Sequence, residues 1–265
     1  MDITDKLVVV TGGASGIGLG LAKQAVIEGA KKVIILDLDA AGAQAAAQDI
    51  GGAGYALDVS DEAAVAAMIE KIEVEHGPID LFFSNAGVLF ADEPDFNAYD
   101  LSNAGWQKSW DVNVMAHIYI ARALFPKYKT RGGGGFVITA SAAGLLSQMG
   151  AASYSTTKHA ALGLAESMAI SHGDDGIHVA AICPQAVESK MLQGAEESSA
   201  ALDGILSAEE MAIRAFKGLK EDHFMIRPHG AVVQYFQQKA ANYDRWLGGM
   251  RKLRRMQIAK TGKPV

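Results

Sequence analysis

Leu7-Val8-Val9-Val10-Thr11-Gly12-Gly13-Ala14-Ser15-Gly16-Ile17-Gly18 is the stretch on which the fold turns. Its four branched apolar residues read as a buried strand. Glycines follow at once, and a helical pattern runs from 16 to 29. Strand, glycine turn and helix in that order open a βαβ unit. Glycines at such a turn let the backbone come close to a pyrophosphate. The helix N-terminus adds free N–H groups and the positive end of its dipole. The spacing is Gly12-x3-Gly16-x-Gly18, not the common G-x-G-x-x-G. A tight turn without a ligand is the competing reading, and the flanking strand and helix weigh against it. Gly12, Ser15, Gly16, Ile17 and Gly18 are therefore candidate nucleotide-binding residues.

Working outward, short apolar runs keep alternating with longer helical patterns. Strands are predicted at 33–36, 54–59, 79–84, 136–139, 179–183 and 223–226. Helices are predicted at 40–50, from a Ser60 or Asp61 cap to His76, at 104–129 and 152–172, near 207–220, and between 231 and 260. The four glycines 132–135 read as a surface turn, since a strand follows them and not a helix. Near-continuous apolar strands separated by helices predict a parallel sheet covered on both faces. The expected fold is α/β: a doubly wound, seven-stranded parallel sheet of Rossmann type. No Pro-rich linker or repeat breaks the chain, so 1–265 is expected to be one domain. Residues 4–190 would form its core, and 185–265 a lid and C-terminal helices.

Asp37 ends the second strand, 19 residues beyond Gly18. A carboxylate there can accept hydrogen bonds from ribose hydroxyls and repel a 2′-phosphate. Neither Ser15 nor Leu38 supplies a cation for that phosphate. The pattern predicts NAD over NADP, with a helix cap as the competing reading of Asp37. Asp58 ends the third strand, where its carboxylate could receive an adenine amino group or simply cap a turn.

Composition bounds the rest. The chain has 265 residues, 49% of them hydrophobic, enough for one well-buried domain. Its net charge of −6 offers no global field for nucleic acid, and the basic cluster Arg251, Lys252, Arg254 and Arg255 reads as a solvated helix face. One cysteine, Cys183, follows a strand-like apolar run and reads as a buried thiol in a reducing compartment. The N-terminus has no basic n-region and no long apolar segment, which predicts a cytoplasmic protein without a membrane span. His117, His159 and His172 show no ligand spacing, so no metal is expected.

Tyr154 and Lys158 lie four residues apart in a helical pattern, with Ser141 thirteen residues upstream. Side chains at i and i+4 share a helix face. An ammonium beside a phenol favours the phenolate and should lower the tyrosine pKa from about 10. Tyr154 is then a candidate acid/base, although the pair alone also occurs by chance.

Taken together these residues resemble the short-chain dehydrogenase/reductase family over residues 4–190. Thr11–Gly18 matches its T-G-x-x-x-G-x-G loop and Asp58-Val59 its Asp-Val pair. Asn85-Ala86-Gly87 matches its N-A-G, and Asn113 its helix asparagine. Ser141, Tyr154 and Lys158 match its serine and Y-x-x-x-K. The resemblance implies an oxidoreductase in which Tyr154 takes a proton from an alcohol or gives one to a ketone. Lys158 would assist Tyr154 and bind the nicotinamide ribose. Ser141 would hold the substrate oxygen. Asn113 would shape the helix and hold a water toward Lys158. Asp58, Val59, Asn85, Ala86 and Gly87 would contact the cofactor. Pro184, Val187 and Ser189 would contact the nicotinamide carboxamide. Two departures stand out: Ser84 where the family often has asparagine, and Gln185 where glycine usually follows Pro184.

For substrate, Leu145, Leu146, Gln148 and Met149 are candidate walls. Met191, Leu192, Leu202, Ile205 and Leu206 are candidate lid residues, with plain helix packing as the alternative. No arginine cluster is present to hold a carboxylate or phosphate. A neutral, largely apolar secondary alcohol or ketone is expected, aromatic ones included. The family resemblance implies a homodimer or homotetramer, with the face Ala160, Ala161, Leu164, Ala165 and Met168 suited to close packing. Two rival readings stay open: a dehydratase, epimerase or lyase on this scaffold, and a dinucleotide-sensing regulator without turnover.

Overall fold

Seven strands pair in the order β3-β2-β1-β4-β5-β6-β7, every neighbour parallel, in the computed structural model. It describes residues 1–93, 95–193 and 198–262. The strands are β1 Leu7–Thr11, β2 Lys32–Asp37, β3 Ala53–Ala56, β4 Leu81–Ser84, β5 Gly134–Thr139, β6 Ile177–Ile182 and β7 Met225–Ile226. The helices are α1 Gly16–Ile27, α2 Ala40–Asp49, α3 Glu62–His76, α4 Asn103–Trp110, α5 Ala116–Thr130, α6 Ala143–Leu146, α7 Ala152–His172, α8 Ala208–Lys220, α9 Gly230–Ala241 and α10 Tyr243–Thr261. This is the expected Rossmann-type α/β architecture.

Alternate residues of each strand feed opposite cores, as a period of two demands. Val9, Ile34, Phe82, Phe136 and Ala181 face α3, α5 and α7 through Ile69, Leu124 and Ala161. Val8, Ile35, Phe83, Val137 and Ile182 face α1, α2 and α8 through Leu21, Ala47 and Phe216. Each fully buried Val, Leu, Ile or Phe in these layers contributes about 1.5–3 kcal/mol. Side-chain caps set several helix starts: Asp61, not Ser60, accepts the Ala64 N–H at 3.0 Å, and Ser207 accepts that of Glu210.

Four local differences from the sequence reading have physical causes. β3 stops at Ala56, because Asp58 folds its carboxylate onto the Ser60 N–H (2.9 Å) and hydroxyl (2.6 Å) and turns the chain. Gly134 and Gly135 join β5, because Ile177, His178 and Leu81 pair with them; the turn is confined to Gly132 and Gly133. The predicted helix over 104–129 is interrupted by a π-turn at Asp111–Met115, which carries Asn113. Finally, Ala161 and Ala165 of the predicted assembly face are buried in the core, whereas Ala160, Leu164 and Met168 remain half-buried. Among the described residues, no helix is long and apolar enough to cross a membrane.

The chain crosses from β3 back past β1 to β4, so β1 and β4 lie side by side and their following loops diverge. In an open α/β sheet that divergence leaves a crevice at the carboxyl ends of the strands.

Candidate active site

The crevice is a cleft of about 1500 Å³. Gly12, Ser15, Gly16, Ile17 and Gly18 line it from the loop after β1, with Asp37 and Leu38 after β2 and Asp58 and Val59 after β3. Asn85, Ala86 and Gly87 line it after β4, and Pro184, Val187 and Ser189 after β6. Ser141, Tyr154 and Lys158 also line it, on the β5–β6 side, opposite Asp37 and Asp58. Asn113, fully buried, lies behind the lining.

The first loop is built for close approach. Gly12 has a left-handed backbone (φ +62°), and a Cβ on Gly18 would lie 2.1 Å from the Gly12 carbonyl oxygen. Asn85 ties this loop to β4 by donating its amide N–H to the Thr11 carbonyl at 3.0 Å. Ser15, the N-cap of α1, makes no side-chain capping bond, so the first-turn N–H groups keep their capacity for an anion. Ser189 reaches over the loop, so a Cβ on Gly16 would sit 2.9 Å from the Ser189 Cβ. A pyrophosphate fits this cradle. Asp37 is held in place by the Ala14 and Asp39 N–H groups, each at 3.1 Å. Asp58 is already engaged by Ser60, and Lys108 stands 3.7 Å from its other oxygen. These contacts hold the Asp58 carboxyl below the usual range, Ser60 foremost.

Tyr154 and Lys158 project from one face of α7. The Lys158 Nζ lies 5.6 Å from the Tyr154 ring centroid and donates to the Thr139 carbonyl at 2.9 Å. Asp92, which the sequence reading passed over, sets the start of α7: both its carboxylate oxygens accept the Ala152 N–H at 3.0 Å. Ser141 is held by the Ala143 N–H, which it accepts at 3.1 Å. A Cβ on Gly87 would lie 3.2 Å from Asn113 Oδ1 and 3.3 Å from Lys158 Nζ, so these two groups flank Gly87.

The electrostatics differ from the expectation in one respect. Burial pushes the Tyr154 phenol above its ordinary value, and the neighbouring Ser141 hydroxyl only partly offsets this. The ammonium does not pull it down in the protein alone. Lys158 is itself desolvated, which brings its pKa down to about 8, and one of its N–H groups donates to the Thr139 carbonyl. Asn113 also differs: Oδ1 accepts the Val88 N–H (2.9 Å), and Nδ2 donates to the Val88 carbonyl (2.9 Å) and Thr157 (3.0 Å). Its amide positions the chain after Gly87 through these bonds.

The two departures from the family pattern are each absorbed by a histidine. Ser84 Oγ lies 2.6 Å from His117 Nδ1. Gln185 donates its N–H to His229 Nδ1 at 3.1 Å, and His229 Nε2 donates to the Ala186 carbonyl at 3.1 Å. Gln185 is not among the residues with a left-handed backbone, so the loop takes a side chain there without strain. Of the expected walls, Leu146, Gln148 and Met149 line the cleft, but Leu145 is buried behind it. Of the expected lid, Met191, Leu192 and Leu202 line it. Leu206 is instead drawn back to the loop after β6 by bonds to Ala186 and Glu188, and Ile205 lies outside the lining. Lid residues 194–197 lie outside the described residues.

His117 is 1% exposed, and burial, then the Lys158 charge, lowers its pKa to about 3. Unfolded, it would titrate near 6.5. The unfolded chain therefore takes up a proton that the native protein refuses, and stability falls as pH drops from about 6.5 toward 3. The loss is on the order of 4 kcal/mol at about 1.4 kcal/mol per unit. Urea midpoints at pH 7, 5 and 4 should fall more steeply for the parent than for His117→Gln. Equal slopes would show that His117 is not the group responsible.

A Rossmann-type cleft with a glycine cradle at one side and a serine, tyrosine and lysine at the other defines a dinucleotide-dependent class of protein. The comparisons narrow it. A family model described as short chain dehydrogenase matches residues 6–200. Galactitol 2-dehydrogenase of Agrobacterium fabrum is 32% identical over 215 residues, covering 80% of this chain and 82% of that protein. A short-chain dehydrogenase/reductase from Burkholderia phymatum, solved with NAD, superposes with a TM-score of 0.82 at 24% identity, covering 92% of this chain and 96% of that one. A 3-ketoacyl-(acyl-carrier-protein) reductase from Brucella melitensis, solved with NADH, is 27% identical with a TM-score of 0.77, covering 85% and 98%. The chain belongs to the short-chain dehydrogenase/reductase family of oxidoreductases.

Proposed function

We propose that this oxidoreductase moves a hydride between a nicotinamide dinucleotide, NAD in preference to NADP, and a neutral, largely apolar secondary alcohol or its ketone. The observation that carries the reading is one cleft shared by the glycine cradle with Asp37 and by Ser141, Tyr154 and Lys158. The reductase relative solved with NADH supports the same cofactor class. When bound, the dinucleotide supplies the carbon that gives or takes the hydride.

The chain's own residues do the rest. Ser141 donates a hydrogen bond to the substrate oxygen. Burial favours the protonated Tyr154, which gives its phenol proton to a ketone in reduction; in oxidation the phenolate takes the proton of the alcohol. As phenolate forms, the Lys158 charge attracts it across the partly buried site. Asn113 is a positioning residue that fixes Val88, and through it Gly87 beside Lys158. Assembly as a homodimer or homotetramer in the cytoplasm belongs to the same proposal.

A panel of secondary alcohols with NAD, followed by the absorbance of reduced nicotinamide, tests it. Turnover of at least one neutral alcohol is expected. NAD binding without turnover of any alcohol or ketone would favour a sensing regulator. Substrate conversion with no net change in nicotinamide would favour a dehydratase or epimerase.

A further inference from the structure

The cleft does not end at Tyr154. It continues to α10, a helix beyond the residues that the family model matches. Trp246, Gly249, Met250 and Leu253 line it there. Their spacing of i, i+3, i+4 and i+7 is one face of a helix. Gln257 is the buried residue of α10; Trp246 packs partly buried against the edge of the core, and the stripe also faces the cleft. Trp246 and Met250 are half-buried against the cleft, whereas Tyr243 and Leu247 turn outward and are 57% and 42% exposed.

The helix is held in this position. Lys239 of α9, nearly buried, donates to the Leu145 carbonyl at 2.6 Å and ties α9 to α6. Tyr235 of α9 donates to Asp203 at 2.9 Å, and Gln185 donates to the other oxygen at 3.0 Å, joining α9 to the loop after β6. The Tyr235 and Trp246 rings then meet with centroids 6.3 Å apart. The Asn242 side chain caps α10 through the Arg245 N–H at 2.9 Å.

We infer that α10 is the far wall of the substrate pocket, and that the substrate carries an aromatic ring remote from its reacting carbon, seated against Trp246. The inference rests on the alcohol/ketone reading above and names the substrate class of that site. Met149, Met191 and Leu202 line the same cleft, and thioethers and indole are good partners for an aromatic ring. The charged side chains Glu93, Lys190 and Arg245 also reach the lining, but all are solvent-exposed. Asp203 is already engaged by Gln185 and Tyr235. A buried clamp for an anionic substrate is not what this wall offers. The cleft of about 1500 Å³ exceeds the roughly 300–1,000 Å³ of ordinary ligand pockets, which leaves room for a dinucleotide and an extended substrate together.

Calorimetric binding of three ketones to the NAD-saturated protein tests this without turnover, since oxidised NAD cannot reduce a ketone. 4-Phenylbutan-2-one is butanone with a ring added at its far carbon. It should bind at least tenfold tighter than butanone. Trp246→Ala should bring that ratio below about threefold. Gly249→Leu should do the same by filling the space, and nothing lies within 4 Å of a Cβ added there, so the fold should not resist it. 4-Cyclohexylbutan-2-one should bind at least threefold more weakly than the phenyl ketone. Equal binding of the phenyl ketone and butanone, or a preference that survives both variants, overturns the assignment of α10. Equal binding of the phenyl and cyclohexyl ketones overturns its aromatic part. Failure of the alcohol panel with these ratios intact would instead count against the proposed reaction and leave the pocket standing.

Discussion

Tyr154→Phe should lower kcat by at least a hundredfold and leave the dissociation constant for NAD within about twofold of the parent. The substitution removes one hydroxyl from the cleft and keeps the ring. General acid–base catalysis of this kind contributes about 10²–10⁴-fold, and no other described phenol lines the site beside Ser141 and Lys158 apart from Tyr235 on α9. NAD binding should survive because the glycine cradle, Asp37 and Lys158 are untouched. Steady-state kinetics and a fluorescence titration with NAD separate the two effects. A variant that turns over at the parental rate would take Tyr154 out of the chemistry. A variant that loses NAD and activity together would make it a binding residue.

Asp37→Ala should lower the NAD-to-NADP ratio of kcat/KM by about ten- to a hundredfold, which is about 1.4–2.8 kcal/mol of discrimination. The Asp37 carboxylate is fixed by the Ala14 and Asp39 N–H groups and faces the cleft. A 2′-phosphate brought to it meets a like charge, while ribose hydroxyls meet an acceptor. Asp37→Asn separates charge from geometry, because an amide oxygen can still accept a hydrogen bond while the repulsion disappears. It should admit NADP while keeping more NAD affinity than the alanine variant. A parent protein that prefers NADP, or a ratio unmoved by either substitution, would remove Asp37 from cofactor choice.

Much of the site was legible because its groups sit close together in the chain. Gly12 to Gly18 form one loop, and Tyr154 and Lys158 one helical turn, so spacing alone brings each set together. The strands were legible because both faces of a parallel sheet are buried and leave uninterrupted apolar runs. The errors fall where residues distant in sequence compete for one group. Asn113 matched a family position, but its bonds to Val88 and Thr157, 25 and 44 residues away, gave no signal. The phenol of Tyr154 was expected to be lowered by its neighbour, but burial raises it and only the Ser141 hydroxyl opposes this. Asp92 gave no signal as a cap for α7, because sixty residues separate it from Ala152.

Local order along the chain was enough to specify a parallel α/β sheet, a phosphate-sized glycine turn and a phenol–ammonium pair, since backbone conformation and short spacings govern all three. The reach of the cleft to Trp246, the latch of Gln185, Asp203 and Tyr235, and the histidines that absorb Ser84 and Gln185 could not be read that way. They depend on which surfaces meet once the sheet is covered, and on the burial that shifts the titration of Tyr154, Lys158 and His117.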